Sequence, residues 1–133
     1  MSKIFDTLRL LSLTTITIFS SLAYSEDGLD DGKVVFQLKC AQCHTYIQGA
    51  GHSTGPNLFG LLGRNIGTAK GYNYSEAMEQ RANEVWTTEA IDKFITQPQK
   101  FIPRTAMMFV GIPDAVQRSQ LTRFLGNLRV NVD

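Results

Sequence analysis

Side chains that build most metal and disulfide sites are scarce here: the chain has two cysteines and two histidines. With no second cysteine pair, a four-ligand zinc site of the usual cysteine-rich kind cannot be completed. A charge excess is also missing, because 13 Lys and Arg stand against 12 Asp and Glu for a formal net charge of +1. A near-neutral chain has no general attraction for nucleic acid or for an anionic membrane surface. No stretch alternates apolar and polar residues with period two, and no segment repeats, which argues against a β-sheet and against a repeat array. The apolar run from Leu10 to Leu22 is short and rich in threonine, so a retained membrane anchor is the lesser reading of it.

That run sits in a leader. Lys3 and Arg9 precede or open it, and it closes on Ala23-Tyr24-Ser25, with small residues at the −3 and −1 positions before Glu26. This is the layout of a secretory signal peptide over residues 1–25, although Asp6 is out of character in its basic segment. The remainder, residues 26–133, has the length of one domain. Loss of the leader takes Lys3, Arg9 and Asp6 with it, which leaves that domain formally neutral.

What is present is concentrated in five residues, Cys40-Ala41-Gln42-Cys43-His44. The spacing C-x-x-C-H is the attachment signature of c-type haem. Two thiols on one helical turn reach the two vinyl groups of a porphyrin edge, and the adjacent imidazole lies under the ring where it can bind iron. The rival meaning of C-x-x-C is a redox disulfide, which requires a strand leading into the motif. The preceding residues read as helix instead. Export fits this chemistry, because bacterial c-type haem is attached outside the cytoplasm, and the two thiols are then occupied by thioether bonds.

The rest of the chain reads as short helices and long loops. Asp30 or Asp31 caps a helix expected to run to about Cys43, with Phe36, Cys40 and Cys43 on one face. From Gly49 to Gly71 lie seven of the eleven glycines together with Pro56, a long irregular loop suited to wrapping a flat cofactor. Ser75 caps a short helix to about Arg81, and Thr87 caps another over 88–97 that Pro98 stops. An extended stretch follows Pro103 as far as Ile112. Pro113-Asp114 then starts a final helix in which Leu121, Phe124, Leu125 and Leu128 recur on one face. The fold class is all-α. Protein alone makes a thin core at this size, and a buried porphyrin supplies the missing apolar centre.

These motifs together resemble the small monohaem class I cytochromes c, the mitochondrial type and its periplasmic bacterial relatives. The resemblance rests on CAQCH at 40–44, TGPNLFGLLGR at 54–64, GYNYSEA at 71–77, Trp86, QPQKFIPRTAMMFVGI at 97–112 and the terminal helix. It implies one haem c bound covalently through Cys40 and Cys43, with His44 and Met107 as iron ligands. The sixth-position candidates from the residues alone are His52, Met78, Met107 and Met108. In extended chain, neighbouring side chains point to opposite faces, so Met107 and Met108 cannot both face the iron. The resemblance selects Met107 and leaves Met78 and Met108 to packing and His52 to a structural role.

Arg64, Tyr72, Tyr74 and Trp86 carry donors able to meet the haem propionates. The family match assigns that role to Arg64, Tyr74 and Trp86, and places Thr105 beside the propionates. By the same match, the carbonyl at Pro56 accepts the ligand histidine's N–H, and Phe36 and Phe124 meet where the first and last helices touch. Three features depart from the family pattern. Phe94 stands where a tyrosine is common, Met78 where a polar residue is common, and Arg104 and Ala106 replace a glycine and a lysine beside Thr105. The rim available to partners holds only Lys39, Lys100 and Arg104, with Phe109 and Val110 as an apolar centre.

The implied function is a soluble, monomeric, periplasmic one-electron carrier that is not an enzyme. Redox proteins dock transiently at its exposed haem edge, with no nucleic acid and no stable membrane insertion. The other readings are a haem enzyme or gas sensor with a vacated sixth site, and a membrane-tethered relay if residues 1–25 are retained.

Overall fold

The computed structural model describes residues 27–129, so the proposed leader lies outside the described residues. Five helices follow in order: α1 Asp27–Lys39, α2 Glu76–Glu79, α3 Thr88–Thr96, α4 Pro98–Phe101 and α5 Ala115–Gly126. No strand accompanies them among the described residues; one isolated antiparallel bridge joins Asn65 to Val85. The all-α expectation is met.

α1 and α5 pack directly on each other. Gly32 allows this, since a Cβ there would come within 2.2 Å of the Gln120 carbonyl oxygen and 2.6 Å of Phe124 Cβ. A helix interior rarely benefits from glycine; here the absent side chain lets two backbones approach. One turn on, Phe36 packs against Phe124 at 5.8 Å between ring centroids, and Tyr46 joins both at 5.0 and 5.2 Å. Phe36 and Leu121 are among the largest fully buried side chains, each worth about 2 kcal/mol of transfer free energy.

The caps divide according to what else each side chain can reach. The Thr87 hydroxyl accepts from the Ala90 N–H at 3.1 Å and opens α3. Asp114 accepts from Val116 and Gln117 at 2.7 and 3.2 Å and opens α5. Ser75 precedes α2 but makes no capping bond; its hydroxyl is buried without a protein partner. α1 also differs from expectation. It begins by Asp27, so Asp30 and Asp31 lie inside it, and it stops at Lys39. Residues 40–43 instead form a tighter turn, in which the Cys43 N–H donates to the Cys40 carbonyl at 3.0 Å. Pro98 ends α3 as expected, yet opens α4 as its first residue, where no amide donor is needed.

Arg118 ties the second half together. Its guanidinium donates to Asp92 of α3 at 2.7 Å and to the Ile112 and Pro113 carbonyls, both at 2.9 Å. With the Ile112 N–H donating to the Ile95 carbonyl at 2.8 Å, the C-terminal end of segment 102–112 is pinned to α3.

Candidate functional site

One cavity of about 380 Å³ opens among these elements. Cys40, Cys43 and His44 line it from the turn after α1, Arg64, Tyr74 and Ser75 from the long loop, Trp86 and Phe94 from around α3, and Thr105 and Met107 from segment 102–112. Every site residue expected from the sequence therefore borders a single space.

The wall around His44 is built from backbone. Its Nδ1 donates to the Pro56 carbonyl at 2.7 Å, and that bond leaves Nε2 as the ring's lone-pair donor. Burial pushes the His44 pKa below its ordinary value, while the bond to Pro56 opposes the shift. A neutral imidazole is the form that binds metal. Gly55 has no room for a side chain: a Cβ there would sit 2.4 Å from the imidazole Cε1. Burial, helped by neighbouring Cys43, pushes the Cys40 thiol up to about 11. A thiol held that high is a poor nucleophile for disulfide exchange, which weighs against the redox-disulfide meaning of the motif.

Arg64 shows what the far side of the cavity calls for. It donates to the Phe59 and Asn57 carbonyls, both at 3.2 Å, while its Nε is buried with no protein partner. Burial lowers its pKa, and nearby Tyr74 opposes that shift. Among the described residues the ion pairs are Arg81–Glu84 and Arg118–Asp92, so no carboxylate faces Arg64. A half-buried cation and an orphaned Ser75 hydroxyl beside an apolar cavity match a flat apolar ligand with anionic arms. The residues present fit a haem with its propionates.

Segment 102–112 holds Met107 inward. The Thr105 hydroxyl accepts from the Met107 N–H at 3.4 Å. Gln99 of α4 donates to the carbonyls of Thr105 and Met107 at 2.8 and 3.4 Å. Met107 is half-buried, whereas Met108 is 91% exposed, the alternation expected of extended chain. Met78 is buried on the cavity wall. Arg104 takes φ +68°, the one positive φ among the described non-glycine residues.

His52 and Tyr72 serve the loop. His52 Nδ1 accepts from the Asn57 N–H and its Nε2 donates to the Lys70 carbonyl, both at 2.9 Å, so neither nitrogen is free. The Tyr72 hydroxyl donates to the Thr54 carbonyl at 2.7 Å, a loop contact where a propionate contact was one expectation. Two residues were missed. Gln99 gave no signal beyond its place between Pro98 and the methionine pair. Ser75 was read as a cap, and a polar residue next to Tyr74 was the available hint of its second use.

A C-x-x-C-H turn, a largely apolar cavity and a waiting cation define a monohaem protein of the c type, built to hold its cofactor covalently. Its relatives are consistent with that class. The family model for cytochrome c matches residues 29–129. Cytochrome c of Nigella damascena is 43% identical over 94 residues, covering 71% of this chain and 84% of that protein. Those of Ginkgo biloba and Ulva intestinalis are each 42% identical over 94 residues, again 71% of this chain, and 82% and 84% of theirs. The chain belongs to the cytochrome c family, whose members carry electrons, are not enzymes, and bind one haem c covalently. Cys40 and Cys43 fit that attachment. Among the described residues no helix is long and apolar enough to cross a membrane.

Proposed function

We propose that the protein is an exported, periplasmic one-electron carrier in which His44 and Met107 would be the protein ligands of the haem iron. When bound, the haem supplies reversible one-electron chemistry at its iron, at a potential raised by a histidine–methionine pair. What supports the reading above all is that Cys40, Cys43, His44 and Met107 line one cavity. The chain's own residues hold that arrangement still. The Pro56 carbonyl fixes the orientation of His44, and Thr105 with Gln99 fixes the backbone of Met107. Arg64, Tyr74, Trp86 and Thr105 take the propionates, with Arg64 Nε ready to donate. A site that need not rearrange keeps the cost of electron transfer small. With His44 and Met107 both given to the iron, no place would be left for a substrate, which favours a carrier over a peroxidase or gas sensor.

The leader over residues 1–25 sends the chain to the periplasm, and cleavage before Glu26 releases it as a soluble monomer. Partners dock briefly at the exposed haem edge: a cytochrome bc complex or a periplasmic dehydrogenase as donor, and a terminal oxidase or photosynthetic reaction centre as acceptor.

The visible spectrum of the purified, loaded protein tests the ligand pair. The weak far-red methionine-to-ferric-iron band is expected, and Met107→Ala should abolish it. Carbon monoxide binding to the reduced parent protein would instead point to an open sixth site and a sensor or enzyme. The mass of the exported protein separately tests cleavage before Glu26.

A further inference from the structure

Between the bond at Thr105 and the one at Ile112, segment 102–112 presents three consecutive residues to solvent in different degrees. Phe109 is half-buried, while Met108 and Val110 are 91% and 93% exposed. Met108 also borders the cavity, and its backbone makes no hydrogen bond to another backbone group among the described residues. An exposed leucine or valine would give the same apolar surface, and a lysine would give better solubility. What thioether sulfur adds is chemistry: it is readily oxidised, and susceptibility follows exposure. The other described methionines are protected. Met78 is 8% exposed, and Met107 is half-buried against the cavity.

We propose that Met108 is a modification site, oxidised reversibly to the sulfoxide by oxidants of the hydrogen peroxide class. A sulfur lone pair attacks one peroxide oxygen and the O–O bond breaks. The oxygen stays on sulfur, and the departing hydroxide takes up the proton and leaves as water. Sulfur loses two electrons and the peroxide gains them. A dithiol-dependent methionine sulfoxide reductase reverses the step: its two thiols become a disulfide and the oxygen leaves as water. The modification replaces an apolar knob at the cavity mouth with a polar, chiral group, and Met107 is left intact. Its consequence, slower docking of partners on an apolar rim in an oxidising environment, rests on the carrier reading above.

Stepwise exposure of the loaded protein to hydrogen peroxide tests the proposal, with each methionine-containing peptide then weighed and the one holding both Met107 and Met108 fragmented to place the oxygen on one sulfur or the other. The exposure ratio of Met108 to Met78 sets the expectation of about tenfold faster oxidation at Met108. Met108→Leu should take up no oxygen at the dose that converts the parent. The sulfoxide form should leave a phenyl matrix earlier than the parent, and reductase treatment should restore the original retention. Equal oxidation of Met78 or Met107, or undiminished uptake by Met108→Leu, overturns the site. Unchanged retention overturns its effect on the rim. The far-red band of untreated protein is a separate readout, because its absence would sink the Met107 ligand assignment and leave the peptide map standing.

Discussion

Replacing Arg104 with glycine should stabilise the protein. At φ +68° the arginine Cβ crowds the backbone, and the left-handed region costs an L-residue about 1–2 kcal/mol. Glycine takes the same conformation freely, but its unfolded chain is more disordered, which offsets about 0.5–1 kcal/mol. The expected net gain is therefore about 0.5–1 kcal/mol, or roughly 2–8 °C in Tm for a domain of this size. Arg104 is exposed and belongs to neither ion pair among the described residues, so removal of its charge should matter little. Arg104→Ala is the control, since alanine loses the same charge and keeps the same steric conflict. Denaturant unfolding of the loaded parent, Arg104→Gly and Arg104→Ala would give the comparison. Arg104 directly precedes Thr105, so the gain should also reach the Met107 segment. Under the proposed ligation, in which added imidazole competes with Met107, imidazole should bind Arg104→Gly about 2–5-fold more weakly than the parent. If Arg104→Gly is no more stable than Arg104→Ala, the positive φ carries no cost and the reasoning fails.

Gly32→Ala should destabilise by about 3 kcal/mol or more, because the new Cβ meets the α5 backbone at 2.2 Å; a thermal melt showing almost no loss would mean that α1 and α5 separate freely. The Glu89 carboxyl is held below its ordinary pKa, chiefly by its own backbone N–H and then by the Thr87 hydroxyl. A depressed folded-state pKa adds stability above the unfolded value and loses it as pH falls through the folded one. The parent should therefore exceed Glu89→Gln in stability at neutral pH, with the gap closing on acidification through the carboxylate range; a gap independent of pH would refute this. Phe94 is buried on the cavity wall with no hydroxyl to offer the Met107 sulfur. Phe94→Tyr should raise the reduction potential slightly and loosen the iron–sulfur bond, and redox titration showing no change would end that idea.

Legibility from sequence followed the range of the interactions involved. The motif at 40–44, the cap at Thr87, the start of the last helix at Pro113-Asp114 and the α5 stripe depend on neighbours a few positions away, and each was readable. The end of α1 was not, because the tight turn at 40–43 belongs to the cavity rather than to helix propensity. Ser75 shows the same limit. Its local chemistry is that of a cap, yet its hydroxyl is buried beside the cavity without a capping bond. α4 was hidden because Pro98 signals the end of one helix as strongly as the first position of another.

By itself, the order of residues determined the attachment chemistry, since two thiols and an imidazole at that spacing need no distant partner to be recognised. It also determined that only one of two adjacent methionines can face inward, because extended backbone alternates its side chains. Which one faces in is a matter of tertiary structure. Thr105 and Gln99 hold Met107 inward, and Arg118 pins the far end of its segment. So is the empty hand of Arg64: only the folded chain shows that its Nε is buried with no protein acceptor. Such facts escape sequence because they arise from segments far apart in the chain, brought together by burial of a common core.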